Sequence, residues 1–129
     1  MTDPISDMLI RIKNACGAKH RSLLVPYSNI KFEIADLLQK EGFIESISKK
    51  GKKSKKMIEI SLKYNEKNPQ IKGVARISKP SRRVYMGVSS IKPVMHGHGI
   101  LVLSTPKGIM TDKKARLEHV GGEAMFKIW

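Results

Sequence analysis

Ile100, Leu101, Val102 and Leu103 form an unbroken apolar run, preceded by Gly97 and Gly99 and followed by Ser104-Thr105-Pro106-Lys107-Gly108. A short run with such borders reads as a buried strand and not as a helix. The segment after it reads as a tight turn, because proline presets one φ and glycine permits a positive one. Ile109 and Met110 resume the strand pattern. Thr111 or Asp112 then has the chemistry to cap a short helix through Ala115 and Arg116. Apolar residues on both sides thus hold a stiff loop carrying hydroxyls, free backbone N–H groups and one lysine. Small hydrogen-bonding groups and a cation on a rigid support suit a phosphate-sugar surface.

The charge balance points the same way. The 129 residues carry a formal charge of +14, so a polyanion is the first partner to consider. A hydrophobic content of 40% supports a folded core over a disordered basic tail. Residues 67–111 contain no Asp or Glu but hold Lys67, Lys72, Arg76, Lys79, Arg82, Arg83, Lys92 and Lys107. The field that attracts a polyanion therefore belongs mainly to the second half. No apolar run is long enough for a membrane span, and the start lacks a secretory pattern. Cys16 is alone, so no internal disulfide is expected and a reducing cytoplasm fits.

The first half alternates helix and strand. Asp3-Pro4 is a helix start, Ile5, Met8, Leu9, Ile12 and Cys16 are its stripe, and Gly17 can end it. Leu23-Leu24-Val25 is a brief strand. Ser28 or Asn29 caps a second helix with stripe Ile30, Ile34, Leu37 and Leu38, closed by Gly42. Strands follow over 43–47 and 57–64, the second with clean alternation of Ile58, Ile60, Leu62 and Tyr64 against Glu59, Ser61 and Lys63. Between them, residues 49–56 hold six lysines, which reads as an exposed, mobile hairpin tip that grips phosphates or simply solubilises the chain. A polar linker over 65–70 divides a lobe of residues 1–66 from a lobe of residues 67–129. Strands are expected in the latter over 71–77, 84–88, 100–103, 109–110 and 124–129. The fold class is α+β: an N-terminal α-β-α-β-β lobe packed against a mostly antiparallel C-terminal β lobe with a short helix.

No catalytic set emerges. Ser104 lacks the G-x-S-x-G elbow and a His–acid pair at recognisable spacing. His96 and His98 flank Gly97, but a glycine-rich turn explains them better than a metal. No nucleotide-binding glycine motif occurs, so no cofactor is expected. Three Phe, three Tyr and one Trp are too few for serial base stacking on a single strand. A structured RNA recognised through backbone, 2′-hydroxyls and a few extruded bases fits better. Tyr85 either stacks on one such base or packs in the core. Arg82 and Arg83 beside it would hold phosphates.

The string from Gly99 to Asp112, with Ala115-Arg116 and Gly121-Gly122-Glu123 behind it, resembles the small-subunit ribosomal protein S8 family, bacterial type. Asp3-Pro4-Ile5-Ser6-Asp7-Met8-Leu9 with Arg11-Ile12-Asn14-Ala15, and Pro80-Ser81-Arg82-Arg83-Val84-Tyr85, resemble its start and middle. The resemblance covers essentially the whole chain. It implies a primary binder of small-subunit ribosomal RNA that grips an irregular stem of the central domain and helps assemble the platform. It also implies contact with small-subunit proteins five and twelve, and in some members repression of their own operon's messenger. Carried over by position, Ser104, Thr105, Pro106 and Lys107 would meet the RNA, with Tyr85 and Gly121, Gly122 and Glu123 beside them. Glu123 would brace the loop amides, or accept from a base amine or a 2′-hydroxyl. Many relatives carry Ser where Pro106 stands, which removes a hydroxyl and an amide donor here. Many also carry Cys where Met125 or Phe126 stands.

Overall fold

The computed structural model describes residues 3–52 and 54–129. Three α-helices and antiparallel sheets make up the described residues, a mixed α+β fold. Contacts divide it into residues 4–72 and a second unit of residues 73–129 with Asp3.

In the first unit, α1 (Pro4–Gly17) buries Ile5, Met8, Leu9, Ile12, Ala15 and Cys16, the stripe its spacing predicts plus one alanine. It does not end on a left-handed glycine. Lys19 takes φ 58° while the amides of Lys19 and His20 satisfy the carbonyls of Cys16 and Ala15. Strand β1 (Ser22–Pro26) leads into α2 (Asn29–Lys40), capped by Ser28, whose hydroxyl accepts from the Lys31 amide. The buried stripe of α2 is Lys31, Ile34, Ala35 and Leu38; Ile30 is 40% exposed. Ile34 and Leu38 are buried as the spacing predicts, while Lys31 and Ala35 complete the stripe in place of Ile30 and Leu37. Lys31 tolerates the inner position because its Nζ reaches the Pro26 carbonyl at 3.4 Å while its stem packs. Gly42 at φ 84° closes the helix as expected, with Phe43 N–H donating to Leu38 O.

Strands β2 (Ile44–Lys50) and β3 (Met57–Leu62) complete a sheet of order β1-β3-β2. The predicted alternation holds: Ile58, Ile60 and Leu62 are buried and the residues between them are not. A hairpin of β4 (Tyr64–Asn65) and β5 (Asn68–Pro69) follows, and Gln70 N–H donates to Lys63 O beyond it. The linker that the sequence suggests at 66/67 lies inside this hairpin, while contacts separate the units after Lys72.

The second unit is built on its last strand. Along one edge, β10 (Gly122–Ile128) pairs with both β6 (Val74–Arg76) and β7 (Tyr85–Met86). Its other edge pairs with β8 (Ile100–Thr105), which in turn pairs with β9 (Gly108–Thr111). Short 3-10 turns at Val88–Ser90 and Met95–Gly97 break up the stretch before β8. A bulge interrupts the β10–β8 ladder: Ala124 faces Leu103 and Phe126 faces Val102, leaving Met125 as the extra residue. Consecutive residues Ala124, Met125 and Phe126 are consequently all buried. Arg76 secures the bulge. It donates through Nη1 to Met125 O, and its Nε and Nη2 bind Asp3 Oδ2 and Oδ1 at 3.0 and 3.3 Å. One cluster of the core joins Ile91, Val94, Leu101, Leu103, Met110, Ala115 and Ala124.

Candidate nucleic-acid interface

Strand pairing sets three expected site residues in one line. Tyr85 pairs with Glu123 across β7 and β10, and Glu123 pairs with Ser104 across β10 and β8. Directly opposed residues of antiparallel strands share a face, so these side chains stand on one side of the sheet. Strand alternation turns them away from Leu103 and Ala124, which lie in the core. Tyr85 is 73% exposed. Of its two possible places, stacking surface or core, the core is therefore excluded.

The glycines make this line possible. A Cβ on Gly122 would collide with Ser104 O and lie 2.9 Å from Ser104 C, and one on Gly121 would collide with Met86 O. The pair thus lets the start of β10 pass between two neighbouring backbones. It is a close-approach device and not a nucleotide cradle.

The turn after Ser104 is more self-contained than its sequence suggests. Pro106 and Lys107 form its tip, and Gly108 takes φ 114°. Thr105 Oγ1 donates to Gly108 O at 2.8 Å and accepts from Lys107 N at 3.1 Å. The Thr105 proton and the Lys107 amide, expected to be free for a ligand, are spent inside the turn. Pro106 has no amide proton. The outward groups are then the Ser104 hydroxyl, the Lys107 ammonium and the remaining lone-pair capacity of Thr105.

Arg83 has a partner the sequence does not announce. Its Nη1 donates to Glu123 Oε2 at 3.0 Å, which ties it to a carboxylate across the strands. Arg82 lies exposed in the turn closed by the Lys79–Arg82 bridge and shares none of the hydrogen bonds of the line.

The described residues of the lysine-rich hairpin are exposed as expected, and those at its base make specific contacts. Lys49 and Lys50 belong to β2, paired opposite Ile58 and Met57. Lys49 Nζ lies 5.3 and 4.9 Å from the ring centres of Tyr27 and Phe32, and Lys56 Nζ lies 5.6 Å from that of Tyr27. Lys50 approaches Glu59 at 3.9 Å. Lys53 lies outside the described residues.

The family model described as Ribosomal protein S8 matches residues 3–129. The chain belongs to the ribosomal protein S8 family. It is 50% identical over 129 residues to the small ribosomal subunit protein uS8 of Vesicomyosocius okutanii, covering 100% of this chain and 98% of the relative. It is 46% identical over 129 residues to that of Mycoplasma mobile, covering 100% and 97%, and 49% identical over 129 residues to that of Dictyoglomus thermophilum, covering 100% and 98%.

Two supports of the line in this S8 chain escaped the sequence reading. Ser78 is fully buried, and its hydroxyl accepts from Val84 N at 2.9 Å and donates to Val84 O at 3.3 Å. Val84 O also accepts from Ala124 N at 2.8 Å. The backbone between Arg83 and Tyr85 is thereby fixed. At the other end of the sheet, Thr111 caps α3 (Asp112–Glu118). Asp112, the alternative cap, is only 3% exposed and instead binds Leu101 N at 3.1 Å and Arg116 Nη1 at 2.9 Å. Nothing in a serine or an aspartate among loop residues announces such a role. Among the described residues, no three His, Cys, Asp or Glu side chains converge as a metal-ligand set, and no helix is long and apolar enough to cross a membrane.

Proposed function

We propose that this chain is a non-enzymatic constituent of the small ribosomal subunit that binds an irregular stem in the central domain of its RNA as a primary binder. It would act in the cytoplasm as part of the ribosome, beside small-subunit proteins five and twelve, and help assemble the platform. A stem of the same shape in its own operon's messenger would compete for the same surface and repress translation. The observation that carries the reading is the line Tyr85–Glu123–Ser104: an exposed aromatic ring, a carboxylate and a hydroxyl on adjacent strands. It stands in a unit whose residues 73–111 carry no carboxylate. An aromatic ring takes an unstacked base, and hydroxyls bond phosphate, 2′-hydroxyl or base edges. Gly121 and Gly122 keep the line tight; Pro106 stiffens the turn, and Lys107, Arg82 and the hairpin lysines add attraction that ignores sequence. Ser104, with the lone pair that Thr105 still offers, therefore chooses the RNA, while the cations hold it.

The test is a titration of the full chain with the irregular stem and with the same stem repaired to regular pairs. Ser104→Ala with Thr105→Ala should weaken the irregular stem by about 1–3 kcal/mol and leave the repaired one unchanged. Neutralising Lys52 and Lys55 should weaken both alike and reduce the salt slope by about 0.7–0.9 per lost contact. Equal binding of both stems by the unaltered chain at matched salt would show a charge-driven, non-selective binder instead.

A further inference from the structure

Among the cations of residues 67–111, Arg76 and Arg83 form ion pairs, and they do so in different settings. Arg76 is 10% exposed and serves the bulge. Arg83 is 49% exposed and holds a carboxylate that is only 19% exposed, within the line already described. Solvent on the Arg83 side screens such a pair, so its contribution to folding is modest.

The geometry of Glu123 suggests a further role for it. Oε2 accepts from Arg83, while Oε1 has no hydrogen-bond partner among the described residues. A carboxylate in this position has an obvious liability, since phosphates repel it. Its arginine partner offsets the charge and fixes which oxygen is left over. An ionised carboxylate only accepts. The open oxygen therefore selects donors and rejects phosphate, ether and carbonyl oxygens. Tyr85, its cross-strand neighbour, presents an exposed ring for a base. The donor best placed relative to a stacked base is an exocyclic amino group on that base.

Resting on the RNA-binding reading above, we propose that Arg83 is a positioning residue that aims Glu123 Oε1 at the exocyclic amino group of an unpaired base held against Tyr85. Arg83 makes no phosphate contact of its own in this scheme. Its neighbour Val84, locked by Ser78 and Ala124, keeps the guanidinium and the ring in constant relation.

The experiment uses the full chain and the irregular central-domain stem. Each unpaired base is replaced in turn by an analogue lacking its amino group: purine for adenine, hypoxanthine for guanine, 2-pyrimidinone for cytosine. With the unaltered chain, one replacement should weaken binding about tenfold, the size expected of a hydrogen bond to a charged group. In Arg83→Gln that penalty should largely vanish while the salt slope stays unchanged, and Arg83→Lys should restore part of it. Glu123→Gln should abolish the penalty too, and the double variant should be no worse than either single one. The urea midpoint of each variant verifies the fold, with Arg83→Lys serving if the glutamine form unfolds. A salt slope reduced by about 0.7–0.9 in Arg83→Gln, with the penalty intact, would make Arg83 a phosphate contact and overturn the proposal. A penalty that follows 2′-deoxy substitution and not amino removal would overturn it as well, by assigning Oε1 to the sugar. Both results leave RNA selection standing, whereas indifference of the unaltered chain to stem repair removes that reading and this one together.

Discussion

Replacing Gly122 by alanine probes the tightest contact near the proposed interface. The new Cβ would overlap Ser104 O and sit 2.9 Å from Ser104 C and 3.0 Å from Thr105 Cγ2. Restoring ordinary contact requires Ser104 C to retreat by about 0.5 Å, and its oxygen by more. Ser104 cannot retreat alone, because it is paired with Glu123 on one side and Ile109 on the other. Overpacking against such a backbone costs about 1–3 kcal/mol. With a urea slope of about 1–3 kcal/mol per molar, the midpoint should fall by roughly 1 M. The fluorescence of Trp129, the single tryptophan, reports on the unit concerned, since its ring packs against Gly73. Gly87→Ala is the control: its Cβ meets nothing within 4 Å, and its φ is ordinary, so the change should stay within about 0.5 kcal/mol. Selective RNA binding should fall in Gly122→Ala and not in Gly87→Ala. Equal stability of the two variants would refute the close-approach argument for the Gly121-Gly122 pair.

Two further outcomes follow from buried groups. Asp112→Ala strips Leu101 N–H and Arg116 of an acceptor and should lower stability by about 1–3 kcal/mol, while Asp112→Asn, which keeps an acceptor for Leu101, should lose less; equal losses in urea melts would contradict this. Burial pushes the Cys16 thiol up, and Tyr64 rises through burial first and the neighbouring Cys16 second. Protons are then retained longer in the folded chain than in the unfolded one, so stability should be constant below the ordinary thiol range and decline as pH climbs past it, from about pH 8.5 upward. A urea midpoint flat between pH 8 and 10, or Cys16 labelled by a thiol reagent as fast as a free thiol, would contradict it.

What the residues announced and what they hid divide along physical lines. Periodicity is local, so the α1 stripe, the β3 alternation and the Ser104–Gly108 turn could be read directly. The α2 stripe is legible at Ile34 and Leu38 but not at its start, because a lysine stem packs in place of Ile30; amphipathic side chains blur the pattern. The Met125 bulge was illegible because an extra residue hides inside an apolar run, and only pairing with Leu103 and Val102 exposes it. At the candidate site, hydroxyls and glycines mark segments that strand register brings together, but their hydrogen bonds depend on partners distant in sequence. Arg83 and Glu123 are 40 residues apart, and their union came only from strand register. Composition likewise could not show that Lys49 and Lys56 rest on aromatic rings.

Because β10 is the common partner of β6, β7 and β8, the second sheet can form only its β8–β9 hairpin before β10 arrives. Arg76 must wait for Phe126, fifty residues later in synthesis, before β6 gains its neighbour. Long-range closure of this sort is slow, and until it happens the earlier strands present bare edges that invite aggregation. A nascent chain therefore completes the Tyr85–Glu123–Ser104 line only once residues 122–128 have emerged to join their partners.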